Sequence, residues 1–93
     1  MAQLLNESEI SSSLTTVPSW QRSGDSLTRE VELASFPDAI AFVVRVGYLA
    51  EAADHHPDID IRWRTVSLTL STHSEGGLTS KDFSLAAAID SAL

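Results

Sequence analysis

The chain has 93 residues, thirteen acidic against six basic side chains, a net charge of −7 and no cysteine. That length supports one modest core rather than two, so residues 1–93 read as a single domain. The lack of thiols excludes disulfides, a thiolate nucleophile and cysteine–zinc sites, and the scattered Arg22, Arg29, Arg45, Arg62, Arg64 and Lys81 form no cationic cluster, so neither nucleic acid nor an anionic membrane surface is expected as a partner.

In chain order, residues 1–16 read as an amino-terminal helical segment. Its start lacks the basic and long apolar regions of a secretion signal, and no later run reaches transmembrane length, so the expected location is the cytoplasm. Leu4, Leu5, Ile10 and Leu14 share one helical face, Asn6 or Ser8 can cap it, and Pro18 stops it. A strand is expected to begin within Ser19–Gln21, with Gly24-Asp25 as the turn. Leu27, Val31 and Leu33 then alternate with Thr28, Glu30 and Glu32, the period of a half-buried strand. Ser35-Phe36-Pro37-Asp38 opens a helix in capping-box fashion. Phe36, Ala39, Ile40, Val43, Val46, Gly47 and Ala50 recur at helical spacing, and Pro57 limits the helix to about Ala53. Ile59, Ile61 and Trp63 alternate with polar residues, as do Val66, Leu68 and Leu70, which makes two strands or one long bent strand. Gly76-Gly77 is a turn, and Thr79-Ser80-Lys81-Asp82 is a second capping box before a closing helix with Phe83, Ala86, Ala87 and Ile89 on its apolar face. The order α-β-β-α-β-β-α predicts a two-layer α+β domain, a four-stranded antiparallel sheet with helices on one face.

Reactive groups are few. Glu51-Ala52-Ala53-Asp54-His55-His56-Pro57 places two imidazoles at a predicted helix end, and the only other histidine, His73, follows Leu70-Ser71-Thr72. Histidine titrates nearest neutral pH of all side chains. A helix C-terminus favours a protonated imidazole, and Glu51 stands one turn before His55, where the two can pair. Together these features suit general acid catalysis. Strand parity puts His73 with Ser67, Thr69 and Ser71, away from the apolar set. Taken by spacing alone, the His-His-Pro run is more commonly a solvated helix end. Asp82 is locally a helix-cap partner, Glu51 a surface charge, and Trp20 and Trp63 packing residues. Adjacent histidines rarely share one ion, and no i,i+4 histidine pair exists, so no metal is expected.

Several of these residues fall at the intervals of a known signature. Glu51-x-x-x-His55-His56-Pro57, then Trp63, His73 and Asp82, resembles the motif of the pterin-4a-carbinolamine dehydratases. Phe36-x-x-Ala39-x-x-Phe42-x-x-Arg45-Val46 resembles the family's long helix, and Leu70-Ser71-Thr72-His73 with Gly77-Leu78-Thr79 resembles its strand-to-helix junction. The resemblance covers residues 18–92 as a matched core and carries little of the amino-terminal segment.

What the resemblance implies is a hydro-lyase that removes water from a 4a-hydroxytetrahydropterin to give the quinonoid dihydropterin, without metal or organic cofactor, and so recycles the pterin of aromatic amino-acid hydroxylases. It implies His55, His56 and His73 as the catalytic set, with His55 and His73 as acid and base and His56 mainly binding substrate. Glu51 and Asp54 would orient or charge the imidazoles, and Asp82 would support His73 or the helix start. Trp20, Trp63 and Thr72 would contact substrate. Where relatives place an aromatic soon after the His-His-Pro, this chain has Asp58-Ile59-Asp60-Ile61. Family members self-associate, so a homodimer or homotetramer is expected, with a functional link to a hydroxylase. Two further readings are a non-catalytic scaffold that partners a hydroxylase, and a pterin role in molybdopterin metabolism.

Overall fold

The computed structural model describes residues 2–93; Met1, the first residue of the expected helical segment, lies outside the described residues. Helix α1 spans Glu7–Leu14, strands β1 and β2 span Gln21–Ser23 and Ser26–Glu32, helix α2 spans Phe36–Ala53, strands β3 and β4 span Asp58–Arg62 and Thr65–Leu70, and helix α3 spans Ser80–Ser91. The sheet is antiparallel throughout, in the order β1-β2-β4-β3. It has the expected α+β architecture.

Cross-strand register sorts the side chains onto two faces. Leu27 faces Leu70, and the rows Arg29–Leu68–Ile59 and Val31–Val66–Ile61 run across β2, β4 and β3 on the same side; on the other side lie the rows Thr28–Thr69–Asp58 and Glu30–Ser67–Asp60. Successive strand side chains alternate between faces, so one register sets both. The apolar face packs with Ala39, Phe42, Val46 and Ala50 of α2 and Phe83, Leu85, Ala86 and Ile89 of α3 in a single core. Burial of each large side chain contributes about 1.5–3 kcal/mol. The other face is open and polar.

β3 departs from the half-buried strand its alternation suggests, because it is a sheet edge. All five of its residues are exposed, Ile59 and Ile61 among them. Phe36 and Ile40 likewise belong to the apolar stripe of α2 but stay exposed. The two strands are separate and joined through Trp63-Arg64, with Trp63 at φ 54°. Trp63 is 71% exposed, and the Arg64 guanidinium lies 4.8 Å from its ring centre.

Asn6, rather than Ser8, caps α1 with a full capping box to Glu9. Ser35 accepts the Asp38 N–H at 3.2 Å but gains no return bond from the Asp38 side chain, so only half of the expected box forms. A bidentate Arg22–Glu7 ion pair ties α1 to β1. The Arg22 guanidinium holds the Glu7 carboxyl below its ordinary range. Ahead of α1, the Leu5 N–H donates to the Leu78 carbonyl at 2.9 Å. Gly77 allows the close approach of Leu4, since a Cβ there would sit 3.1 Å from Leu4 Cδ2.

Candidate active site

The site begins with the way α2 ends. Asp54 adopts φ 49°, ψ 44°, the left-handed conformation that short polar residues tolerate best after glycine. Its N–H donates to the Glu51 carbonyl at 3.1 Å, and the His55 N–H reaches back to Ala50 at 3.0 Å. These two bonds make a Schellman ending, which satisfies carbonyls the last turn would leave free. The left-handed residue turns the chain before Pro57 is reached, so consecutive histidines leave the helix in different directions.

His55 turns inward. Its side chain is 10% exposed and its Nε2 lies 2.6 Å from Asp82 Oδ1, whose side chain is fully buried. His56 turns outward and its Nε2 lies 2.8 Å from Glu51 Oε1. The expected Glu51–His55 pairing is therefore replaced: the left-handed turn at Asp54 carries His55 away and brings His56 back over the last turn. Of the two roles expected of Asp82, only the one at the helix start forms. Asp82 supports His55 and the helix start, where its Oδ2 accepts the Thr79 N–H at 2.9 Å, and makes no bond to His73.

The strand-to-helix junction supplies the opposite wall. β4 stops at Leu70, Thr72 makes a bridge with Gly77, and His73–Glu75 is a short 3-10 turn. Strand parity therefore does not extend to His73. Gly76 closes the turn at φ 74°, a conformation open to glycine at little cost. His73 is exposed, and its ring makes no hydrogen bond to any described residue.

These elements enclose a cleft of about 370 Å³ lined by Asp54, His55, His56, Ser71, Thr72, His73, Ser74 and Lys81. All three imidazoles of the chain meet there. Glu51 borders it through His56, and Asp82 lies behind His55. Lys81, the chain's sole lysine, and Ser74 are lining residues that the sequence reading did not single out; Lys81 is only two positions past the cap Thr79. Asp54 makes no side-chain bond to an imidazole, so its contribution is the backbone turn.

The structure does not bring either tryptophan to this cleft. Trp20 is 3% exposed in the core, and its indole N–H donates to Asp90 Oδ1 at 2.8 Å. Trp63 sits at the far end of β3 from Pro57. Thr72 does line the cleft, but its hydroxyl donates to Asp82 Oδ2 at 2.8 Å. A larger concavity, about 500 Å³, lies on the open sheet face among Gln21, Thr28, Glu30, Ser67 and Thr69. It offers hydroxyls and a lone carboxylate rather than a proton-transfer set. Among the described residues, no group of three or more His, Asp or Glu side chains is arranged to hold a metal ion. None of the helices described is long and apolar enough to cross a membrane.

The chemistry available is proton transfer. A carboxylate accepts but cannot donate, so the Nε2 of both His55 and His56 must carry hydrogen. That leaves Nδ1 of each ring, and both nitrogens of His73, for a ligand.

The family described as pterin 4 alpha carbinolamine dehydratase matches residues 3–92, which takes in most of the amino-terminal segment. A protein of Roseiflexus castenholzii with the name "Putative pterin-4-alpha-carbinolamine dehydratase" is 61% identical over 90 residues, covering 97% of each chain. One of the same name from Nocardia farcinica is 58% identical over 88 residues, covering 95% of this chain and 93% of its own. The crystal structure of a transcriptional coactivator/pterin dehydratase from Brucella melitensis superposes with a TM-score of 0.91 at 32% identity, over 95% of this chain and 96% of that one. The chain belongs to the pterin-4a-carbinolamine dehydratase family, and its activity class is that of a dehydratase, a hydro-lyase.

Proposed function

We propose that the cleft dehydrates 4a-hydroxytetrahydropterins by histidine acid–base catalysis. The observation that carries this reading is the convergence of all three imidazoles on one cleft, two held by carboxylates and one unpartnered. In the reaction the C4a–O bond breaks and the N5–C4a bond becomes double. One proton must reach the leaving oxygen, which departs as water, and one must leave N5. His55, with Nε2–H committed to Asp82, has Nδ1 as a lone pair and serves as the base toward N5. His73, free of protein partners, supplies the proton to the oxygen. His56, steadied by Glu51, binds the substrate beside them. Oriented acid–base groups contribute about 10²–10⁴-fold, a sufficient scale for an elimination that N5 already drives.

The product is a quinonoid dihydropterin, and its reduction elsewhere would complete tetrahydropterin recycling for an aromatic amino-acid hydroxylase. A cysteine-free chain suits the reducing cytoplasm in which we place it. A stable dihydropterin analogue, which binds only the native state, should raise the melting temperature; at a hundredfold excess over Kd the gain is about 2.7 kcal/mol. No shift at saturating analogue would contradict the reading.

The same proposal includes self-association. β3 leaves its edge unpaired with Ile59 and Ile61 exposed, and α2 exposes Phe36, Ile40, Val44 and Tyr48. Uncovered edges and apolar faces invite partners. Sedimentation at micromolar concentration should show at least a dimer, and a monomer would count against this part.

A further inference from the structure

Behind His55 the protein builds a hydrogen-bond chain whose proton directions can be worked out. Asp82 Oδ2 accepts from the Thr79 N–H and from the Thr72 hydroxyl, and Oδ1 accepts from His55 Nε2. The Thr79 and Thr72 hydroxyl oxygens lie 2.8 Å apart. The Thr79 oxygen also accepts the Lys81 N–H at 3.2 Å. A carboxylate only accepts, so the single hydroxyl proton of Thr72 goes to Asp82. The bond between the two threonines then uses the proton of Thr79. The chain runs one way, from the Lys81 N–H to Thr79, to Thr72, to Asp82. Thr72, Thr79 and Asp82 are all buried, and no buried side-chain polar atom lacks a partner among the described residues. A fully satisfied buried network of this kind holds one arrangement firmly.

We propose that Thr79 and Thr72 are positioning residues, whose aligned hydroxyls lock the Asp82 carboxylate with Oδ1 toward His55 and so hold the neutral imidazole as its Nε2–H tautomer. Nδ1 is then the nitrogen presented to the cleft. Thr72 acts through Asp82, in place of the substrate contact that the family resemblance implies. Thr79 has a second duty beyond capping α3, because its proton sets the direction of the Thr72 hydroxyl. If the Thr79 hydroxyl is removed, the Thr72 oxygen loses the donor that fixes its rotamer. Thr72 then holds Asp82 less firmly, and the grip of Asp82 on one His55 tautomer weakens. The kinetic consequence, though not the tautomer itself, rests on the proposed role of His55 as the base.

The test compares the full-length wild type with Thr79→Val, Thr79→Ser and Thr72→Val. Thr72→Val leaves the helix cap intact, so it stays informative if Thr79→Val folds poorly. The readouts are the ¹⁵N shifts of the His55 ring nitrogens and the kinetics of carbinolamine dehydration. Wild type and Thr79→Ser should show a single Nε2–H tautomer with similar rates. In both valine variants the two ring-nitrogen shifts should move toward each other, and kcat should fall about tenfold with little change in KM, the scale typical of losing a partner that orients a histidine. An unmoved tautomer in the valine variants overturns the proposal whatever the rate. So does a Thr79→Ser variant that behaves like Thr79→Val, since packing alone would then explain both. A shifted tautomer with unchanged kcat upholds the relay and removes His55 from the acid–base pair.

Discussion

Asp82→Ala is expected to destabilise the protein by roughly 2–4 kcal/mol, because it strips the acceptor from several buried donors at about 1–3 kcal/mol each, with partial re-pairing. The Thr79 N–H, the Thr72 hydroxyl and the His55 Nε2–H all end on that carboxylate. Thr72 can re-pair with Thr79, and His55 can reach water, so the full sum is not lost. A small domain holds only about 5–15 kcal/mol in total, and at about 4–8 °C per kcal/mol the melting temperature should fall by about 8–30 °C. Asp82→Asn separates stability from function. Its amide oxygen can still accept from Thr79 and Thr72, which spares most of the fold. Its NH₂ then faces His55 Nε2, which must accept, so the proton moves to Nδ1 and the base toward N5 is lost. Asp82→Asn should therefore melt near wild type and yet lose about 10²-fold or more in kcat, on the scale of one acid–base group. Thermal melts and stopped-flow dehydration on the same two variants check both halves. A near-wild-type melt for Asp82→Ala would show that the carboxylate is not the acceptor on which these donors depend.

How much was legible in the sequence depends on whether the cause was local. The alternation of Thr65–Leu70 is legible because β4 is central, with helices on one side and the open face on the other, so period two maps directly onto burial. Ile59 and Ile61 show the same alternation, but alternation does not say whether a strand is central or at an edge; that follows from sheet order. The caps at Asn6 and Thr79 are legible because their partners are three residues away. The wiring of the site is not. Glu51 and His55 stand at ideal helical spacing, yet the left-handed turn at Asp54 gives that carboxylate to His56. The partner of His55 lies 27 residues on, and no local rule connects them. The family signature contains His55, His56, His73 and Asp82 but not which of them bond. The family resemblance makes Trp20 a pocket residue, whereas burial and the bond to Asp90 make it part of the core in this chain. Thr79 was legible only as a cap, since its contact with Thr72 depends on how the loop between them closes.

The three imidazoles differ in how far the fold depends on them. The His73 ring has no hydrogen-bond partner among the described residues and lies on an exposed 3-10 turn, and alanine keeps the backbone carbonyl that accepts from Gly76, so His73→Ala removes nothing that supports the fold. Its melting temperature should match wild type, while kcat drops about 10²–10⁴-fold if it supplies the proton to the leaving oxygen. His55→Ala leaves Asp82 buried with one donor fewer, so it should lose some stability as well as a comparable share of kcat. His56→Ala should act mainly on KM, because the ring is 60% exposed and paired only with the surface Glu51. The decisive measurement is stopped-flow dehydration of a 4a-hydroxytetrahydropterin by wild type, His73→Ala and His55→Ala, each verified as folded. Both variants should fall at least about a hundredfold in kcat. Rates near wild type in both would contradict the assignment of this cleft as the acid–base centre.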